Sequence, residues 1–306
     1  MIFYFSGTGN SRHAALMLNE HEPSELVNIA DAVTHKKYSY SLSEGERVFL
    51  VFPVYFGGLP GIVDRFISEM QLHVPEPVSD DPASSLKTKE ERSKESDRQQ
   101  EKKSRHKRKK RRSAGEDPEH CVPEIVGVAT YGKAASGCGR QLQSVLKKRG
   151  FSLSAFYSVQ APENCIFYMN PPIREAALVQ LKYMQERMKD VMDSIDYHHR
   201  MPDALSVYSG MESSFMHRFY KGSCKTAKFY ATDACISCGL CERVCPVHAI
   251  QMKNGRPEWI KPVCEHCTAC INRCPQDAIE YGRMTRGRNR YAHPDLGKQY
   301  RVEKQK

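Results

Sequence analysis

Eight of the twelve cysteines stand in two copies of one arrangement, Cys235-x2-Cys238-x2-Cys241-x3-Cys245-Pro246 and Cys264-x2-Cys267-x2-Cys270-x3-Cys274-Pro275, displaced by 29 residues. Three thiolates at three-residue steps let one tight loop wrap an iron-sulfur cube and bind three of its irons. The fourth cysteine, leading into a proline, reaches over to the other cube. The spacing therefore predicts two 4Fe-4S clusters, one held by Cys235, Cys238, Cys241 and Cys274, the other by Cys264, Cys267, Cys270 and Cys245. Zinc is the rival, but its closed tetrahedral sites usually take two separated Cys-x2-Cys pairs, not three consecutive steps and a Cys-Pro. The repeat extends past the ligands, because Ala249-Ile250 and Ala278-Ile279 fall at the same offset after each Cys-Pro. One difference bears on the backbone: Gly239 follows Cys238, where glycine takes positive φ freely, whereas Thr268 follows Cys267. That predicts a difference in hydrogen bonding and solvent access between the clusters, with ligation untouched. His266, inside the second loop, reads as a solvent-facing spacer, since no cysteine is missing for it to replace.

A second set of residues could bind phosphate. An apolar run at residues 2–5 leads straight into Ser6-Gly7-Thr8-Gly9-Asn10-Ser11, followed by a helical Ala/Leu/Met stretch. Short residues let backbone N–H groups at a helix N-terminus close on an anion, and the hydroxyls add donors without a lysine. An ATP-type loop would need Gly-Lys-Ser/Thr where Asn10-Ser11-Arg12 stands. A dinucleotide fingerprint would need a third glycine in place of Arg12, although Asp31 lies at a suitable distance for a ribose contact. The Ser-x-Thr-Gly-x-Ser loop resembles the FMN-phosphate loop of flavodoxins. In that family the flavin is contacted by the loops after strands one, three and four, which here correspond to Pro53-Val54-Tyr55-Phe56-Gly57-Gly58 for strand three and Thr130-Tyr131-Gly132 for strand four. Many flavodoxins stack a Trp on the ring. The single Trp of this chain, Trp259, lies in the cysteine-rich part, so the resemblance gives that role to Tyr55, Phe56 or Tyr131.

The elements that must position these residues follow from the apolar pattern. Runs at 2–5, 48–54 and 125–130 read as buried parallel strands, each ending in a glycine-containing loop, with weaker strands at 26–29 and 153–159. Helices at 10–19, 61–72 and 138–149 fill the intervals. The alternation predicts an α/β, doubly wound parallel sheet, and the flavodoxin resemblance implies the order 2-1-3-4-5; the cysteine motifs resemble those of bacterial-type ferredoxins and imply a C-terminal α+β two-cluster ferredoxin domain. Apolar residues at 173, 177, 181, 184, 188, 191 and 195 mark one long amphipathic helix, and a shorter helix is expected near 211–221. The methionines of the long helix at 184, 188 and 192 read as packing, and His198, His199 and His217 carry no assigned chemistry. The resulting division is a flavodoxin-like FMN domain over 1–172, a helical bridge over 173–231, the ferredoxin domain over 232–282 and a basic tail over 283–306. Within the first, residues 76–119 have almost no apolar side chains and read as a disordered charged insertion.

The 306-residue chain carries a net charge of +10, and two segments account for it. Residues 102–112 hold nine Lys or Arg and no acid, and 283–306 hold eight against two, which leaves about −5 elsewhere. Basic charge without interleaved aromatics argues against specific nucleic-acid binding, and the run at 102–112 is a candidate dock for acidic partners. No apolar run approaches 18 residues and the first residues read as a strand rather than a leader, so the expected location is cytoplasmic, with Cys121, Cys138, Cys165 and Cys224 free thiols. Taken together, the two motifs look like the flavodoxin-fused ferredoxins of anaerobic microbes. The resemblance covers about 1–70 and 121–282 and implies electron transfer between FMN, two clusters and redox partner proteins. The alternative is a flavin-dependent reductase of a small molecule, with a substrate pocket from 133–139 or 162–168. No catalytic constellation appears beyond these cofactors, and the sequence leaves donor, acceptor and oligomeric state open.

Overall fold

The computed structural model describes residues 1–74, 123–135, 137–197, 220 and 222–299, with side chains through 296. The charged insertion, the run at 102–112, most of the expected helix at 211–221, and His198, His199 and His217 lie outside the described residues. Five strands form a parallel sheet: β1 (Ile2–Tyr4), β2 (Leu26–Asn28), β4 (Val48–Pro53), β6 (Ile125–Tyr131) and β7 (Ala155–Gln160). Their order is β2-β1-β4-β6-β7, with Phe3 beside Leu50 and Leu50 beside Gly127 in the register. Strand β4 is buried along its whole length, as a central strand covered on both faces must be.

Side chains alternate between two packed layers. Phe3, Phe5, Leu50 and Phe52 face α2 (Ile29–Thr34), α3 (Gly61–Glu69) and α4 (Cys138–Lys148), burying Ile62, Val63, Phe66, Ile67, Leu142 and Leu146. Ile2, Phe49, Val51, Val126 and Val128 face α1 (Asn10–His21) and the long α5 (Arg174–Asp196). Helix α5 lays Leu181, Met184, Met188, Val191 and Ile195 against Ala14, Ala15 and Leu18 of α1 and against the sheet. From Leu181 to Ile195 it is thus a layer of the sheet domain, within the part of the chain expected as a helical bridge. The methionines at 184 and 188 are packing residues, as their spacing implies. Helix α2 and β3 (Ser39–Ser41) add to the elements expected from the apolar pattern, whereas β5 (Gln71–His73), paired with β3, takes the end of the helix expected over 61–72, which stops at Glu69. They are short, and α2 begins where the Asn28 side chain accepts from the Ala30 N–H.

The cysteine-rich part repeats itself in backbone as well as in sequence. Helix α6 (Leu240–Arg243) and helix α7 (Ala269–Asn272) are 29 residues apart and each follows a left-handed residue, Gly239 with φ 69° and Thr268 with φ 61°. Strand β8 (Phe229–Ala231) pairs antiparallel with β11 (Ile279–Tyr281). Strands β9 (Ile250–Lys253) and β10 (Arg256–Trp259) form a hairpin whose turn, Asn254-Gly255, has φ of 49° and 75°. Those two positive values are what an Asn-Gly turn supplies.

The segment 283–296 is no appendage. Tyr291 and His293 are buried, and α8 (Pro294–Gln299) follows them. Its charge is matched locally: Arg288 donates to the carbonyls of Ile166 (3.0 Å) and Met169 (2.8 Å). Arg290, 8% exposed, pairs with Glu280 at 2.8 Å. Counting charges along the chain hides this, because the carbonyls and the carboxylate that take up the arginines come from elsewhere in the fold.

Candidate functional site

The cysteines gather into two sets. One cavity is lined by Cys235, Cys238, Cys241 and Cys274, together with Gly239, Leu240 and Ile279. A second is lined by Cys245, Cys264, Cys267 and Cys270, with Ala249, Ile250 and Trp259. In each set three residues come from one repeat and the fourth from the other, and the fourth is held alike in both. Ala249 N–H donates to Cys245 Sγ (3.2 Å) and Ala278 N–H to Cys274 Sγ (3.3 Å). A further backbone N–H, that of His266, points at Cys264 Sγ (3.4 Å). Burial pushes the thiols of Cys267 and Cys270 well up, Cys264 up to about 12 and Cys241 up to about 11. Metal binding there must displace protons that the apoprotein holds firmly.

A larger cavity of about 720 Å³ opens at the C-terminal ends of β1, β4 and β6. Of the candidate residues, Ser6, Gly7, Thr8, Asn10, Ser11, Pro53, Val54, Tyr55, Phe56, Gly57, Thr130, Tyr131 and Gly132 line it. Gly9 and Gly58 do not. Gly9, with φ 106°, turns its Cα toward His293, and Gly58 closes a tight bridge with Tyr55. Within the first loop the Gly9 N–H donates to Ser6 Oγ (3.0 Å), and the loop opens directly into the twelve-residue α1. Its backbone N–H groups are thereby gathered at a helix N-terminus, where negative charge is favoured. Ser11 Oγ lies 2.7 Å from Thr130 Oγ1, tying the first turn of α1 to the C-terminal end of β6. Phe56 has φ 50° and stacks on Tyr220 with ring centroids 5.1 Å apart. Burial holds the Tyr55 phenol far above its ordinary range, so it is a neutral hydroxyl.

Ala161 and Met169, not singled out from the sequence, and His266 and Thr268, read there only as parts of the second cysteine loop, complete the wall, beside Lys133, Ala134, Pro162–Cys165 and Tyr168 from the two loops named for a substrate pocket. His266 is not a solvent-facing spacer. Its ring packs against Phe167 (4.6 Å) and meets Phe229 and Tyr281 edge-on, and burial lowers its pKa. A histidine between two cysteine ligands gives no sequence signal of what it faces; the Phe167, Phe229 and Tyr281 cluster that receives it is assembled from distant segments. His266 and Thr268 line both the large cavity and the second cysteine cavity, so the two share a wall. The first cysteine cavity has no lining residue in common with the large one.

Residues 234–279 match the family described as a 4Fe-4S dicluster domain. The chain is 39% identical over 56 residues to a component of the ion-translocating oxidoreductase complex of Methanosarcina acetivorans, covering 18% of this chain and 21% of that protein. It is 40% identical over 48 residues to a ferredoxin of Pyrobaculum islandicum, covering 15% of this chain and 45% of that one. The chain thus spans about a fifth and under half of these relatives. The Trp repressor binding protein from Bacillus subtilis superposes over 66% of this chain and the whole of its own, with a TM-score of 0.31 and 12% identity. That score supports no argument. The cysteine-rich part is a 4Fe-4S cluster-binding domain of the ferredoxin type, attached to an α/β unit with a parallel central sheet. No helix among the described residues is long and apolar enough to cross a membrane.

Proposed function

We propose that the chain is an iron-sulfur electron-transfer protein that also binds FMN, with two 4Fe-4S clusters and an FMN site within one folded unit. The observation that carries this reading is the wall of His266 and Thr268 common to the large cavity and the second cysteine cavity. Cluster ligation by Cys235, Cys238, Cys241 and Cys274, and by Cys264, Cys267, Cys270 and Cys245, is supported by the two small cavities each set lines. A set of four thiolates is the usual donor group for such a cube.

The FMN reading draws support from the doubly wound sheet, whose loops after β1, β4 and β6 converge on one cavity at the strand ends, and from its fit to a dianionic phosphate. Ser6, Gly7, Thr8, Asn10 and Ser11 would hold the phosphate. Thr8 Oγ1 already accepts from Asn164 Nδ2 (2.6 Å), which leaves its own hydroxyl hydrogen to donate. Phe56 and Tyr131 would flank the ring, with Gly132 leaving room for the Glu163 carboxylate in the same wall. When bound, FMN exchanges two electrons as a pair or singly, whereas each cluster carries one. In this reading the flavodoxin-like unit extends through α5, and 283–296 belongs to the same fold.

Anaerobic purification followed by cofactor analysis tests the proposal. About eight irons and one FMN per chain are expected. Iron-free protein carrying zinc would remove its main support. A second reading, reduction of a small molecule at the flavin, is favoured by the presence of Lys133, Glu163 and Tyr168 in the cavity wall. Catalytic turnover of an added acceptor by the reduced protein separates it from stoichiometric reoxidation.

A further inference from the structure

The loop that would hold the FMN phosphate belongs to a closed circuit of hydrogen bonds that runs through the second cysteine repeat. Thr8 Oγ1 accepts from Asn164 Nδ2 (2.6 Å), and the Asn164 carbonyl accepts from Asn272 Nδ2 (3.0 Å). Asn272 Oδ1 accepts from the Tyr291 N–H (3.1 Å), and the Tyr291 hydroxyl donates to Asn10 Oδ1 (2.6 Å). Asn10 is two residues from Thr8, where the circuit began. The Thr268 hydroxyl adds a strut, shared between the Cys267 carbonyl (2.7 Å) and the Asn164 carbonyl (3.2 Å). Thr8, Asn10, Thr268 and Asn272 are all buried, so a broken link in this circuit takes a partner from a polar atom that water does not reach.

Two of these residues are carried by the segment that holds three of the second set of cysteines. Thr268 stands between Cys267 and α7, and Asn272 lies two residues after Cys270. The segment presses on the phosphate-type loop so closely that a Cβ added to Gly7 would overlap the Cys267 carbonyl. It also holds two non-glycine residues at positive φ, His266 at 45° and Thr268 at 61°. Such backbone persists only where the surroundings over-determine it. Four separate thiols supply no such determination, whereas ligation to one cluster fixes all four.

We propose that assembly of a cluster on Cys245, Cys264, Cys267 and Cys270 completes the FMN-phosphate site, so that FMN retention follows this cluster and not the one on Cys235, Cys238, Cys241 and Cys274. The proposal rests on the FMN reading above. It concerns which half of the cysteine-rich domain the flavin site is built on.

The test titrates FMN into the full chain by fluorescence quenching and measures iron and the paramagnetic signals of the reduced clusters in the same samples. Cys267→Ala is expected to weaken FMN at least ten times more than Cys238→Ala. Asn272→Ala leaves every cysteine in place; it is expected to keep the iron content of the wild type and weaken FMN about tenfold, with riboflavin, which lacks the phosphate, changed less than about threefold. Equal weakening by the two cysteine variants, or full FMN affinity in an iron-replete Asn272→Ala protein, overturns the proposal. A wild-type protein that carries eight irons and binds no FMN overturns the flavin reading itself, a result the variants cannot mimic.

Discussion

In the first cysteine repeat the residue after Cys235 is Ile236, 59% exposed; 29 positions on, the residue after Cys264 is Glu265, 7% exposed. The apolar side chain faces water and the carboxylate is buried, its oxygens beside Gly61 at the N-terminus of α3, where the helix dipole favours negative charge. The backbones nevertheless match. Ser237 and His266, Gly239 and Thr268, and His248 and Asp277 occupy equivalent places and all have positive φ. Spacing and backbone therefore set the ligation, while the neighbour set against each repeat decides what its remaining side chains must be. Gly239 meets the conformational demand at no cost. Thr268 meets it under strain, and its side chain supplies the strut to Asn164 that a glycine lacks.

The sharpest way to break this comparison is to remove one fourth ligand at a time. Cys245→Ala lies in the first repeat, yet it is expected to eliminate the cluster of the second set, lowering iron from about eight to about four per chain and leaving the other paramagnetic signal. Loss of the first set's signal instead would mean that each repeat ligates its own cluster.

A smaller effect is expected from the neighbour that distinguishes the second repeat. Thr8→Ala combined with Ser11→Ala removes two hydroxyls facing the cavity, each worth about 1.5–3 kcal/mol as a donor to a charged phosphate. FMN affinity should fall by about two orders of magnitude or more, with riboflavin far less affected and iron retained. Comparable losses for both ligands would show that this loop does not hold the phosphate.

The smallest expected effect isolates the backbone difference itself. Gly239→Ala should cost about 1 kcal/mol in denaturant unfolding, because alanine is strained at φ 69°. Thr268→Gly relieves the same strain and loses the strut, so stability should change by less than about 1 kcal/mol while FMN binding weakens. If Thr268→Gly leaves FMN binding intact, the threonine is there for some reason other than the contact to Asn164.

The cysteines, the strands of the sheet and the phosphate-type loop were legible because each writes its demand locally: thiol spacing, a continuous apolar run, small residues before a helix. Helix α5 was legible as a helix, and its apolar stripe as a face that packs against the sheet domain, which is where Leu181, Met184, Met188, Val191 and Ile195 lie. The β9–β10 hairpin does carry a local signal, the Asn254-Gly255 turn. His266, Asn272 and Tyr291 carry none. Their roles come from hydrogen bonds and ring contacts that span long stretches of chain, and neither asparagine nor arginine outside a motif announces whether it faces water or a distant carbonyl. Arg288 and Arg290 are the clearest instance, reading as surface charge and serving as internal fasteners.

The bond between Tyr291 and Asn10 joins residues 281 positions apart, and the His293 N–H reaches the Thr8 carbonyl over a similar interval. On a ribosome adding roughly 5–20 residues per second, the first loop waits on the order of tens of seconds for the residues that clasp it. The sheet can assemble in that time, since its strands and helices are made long before; the loop at its edge cannot adopt its final hydrogen bonds. Maturation thus has a built-in sequence, in which both cysteine repeats emerge before the clasp does and the loop after β1 is among the last parts to be finished.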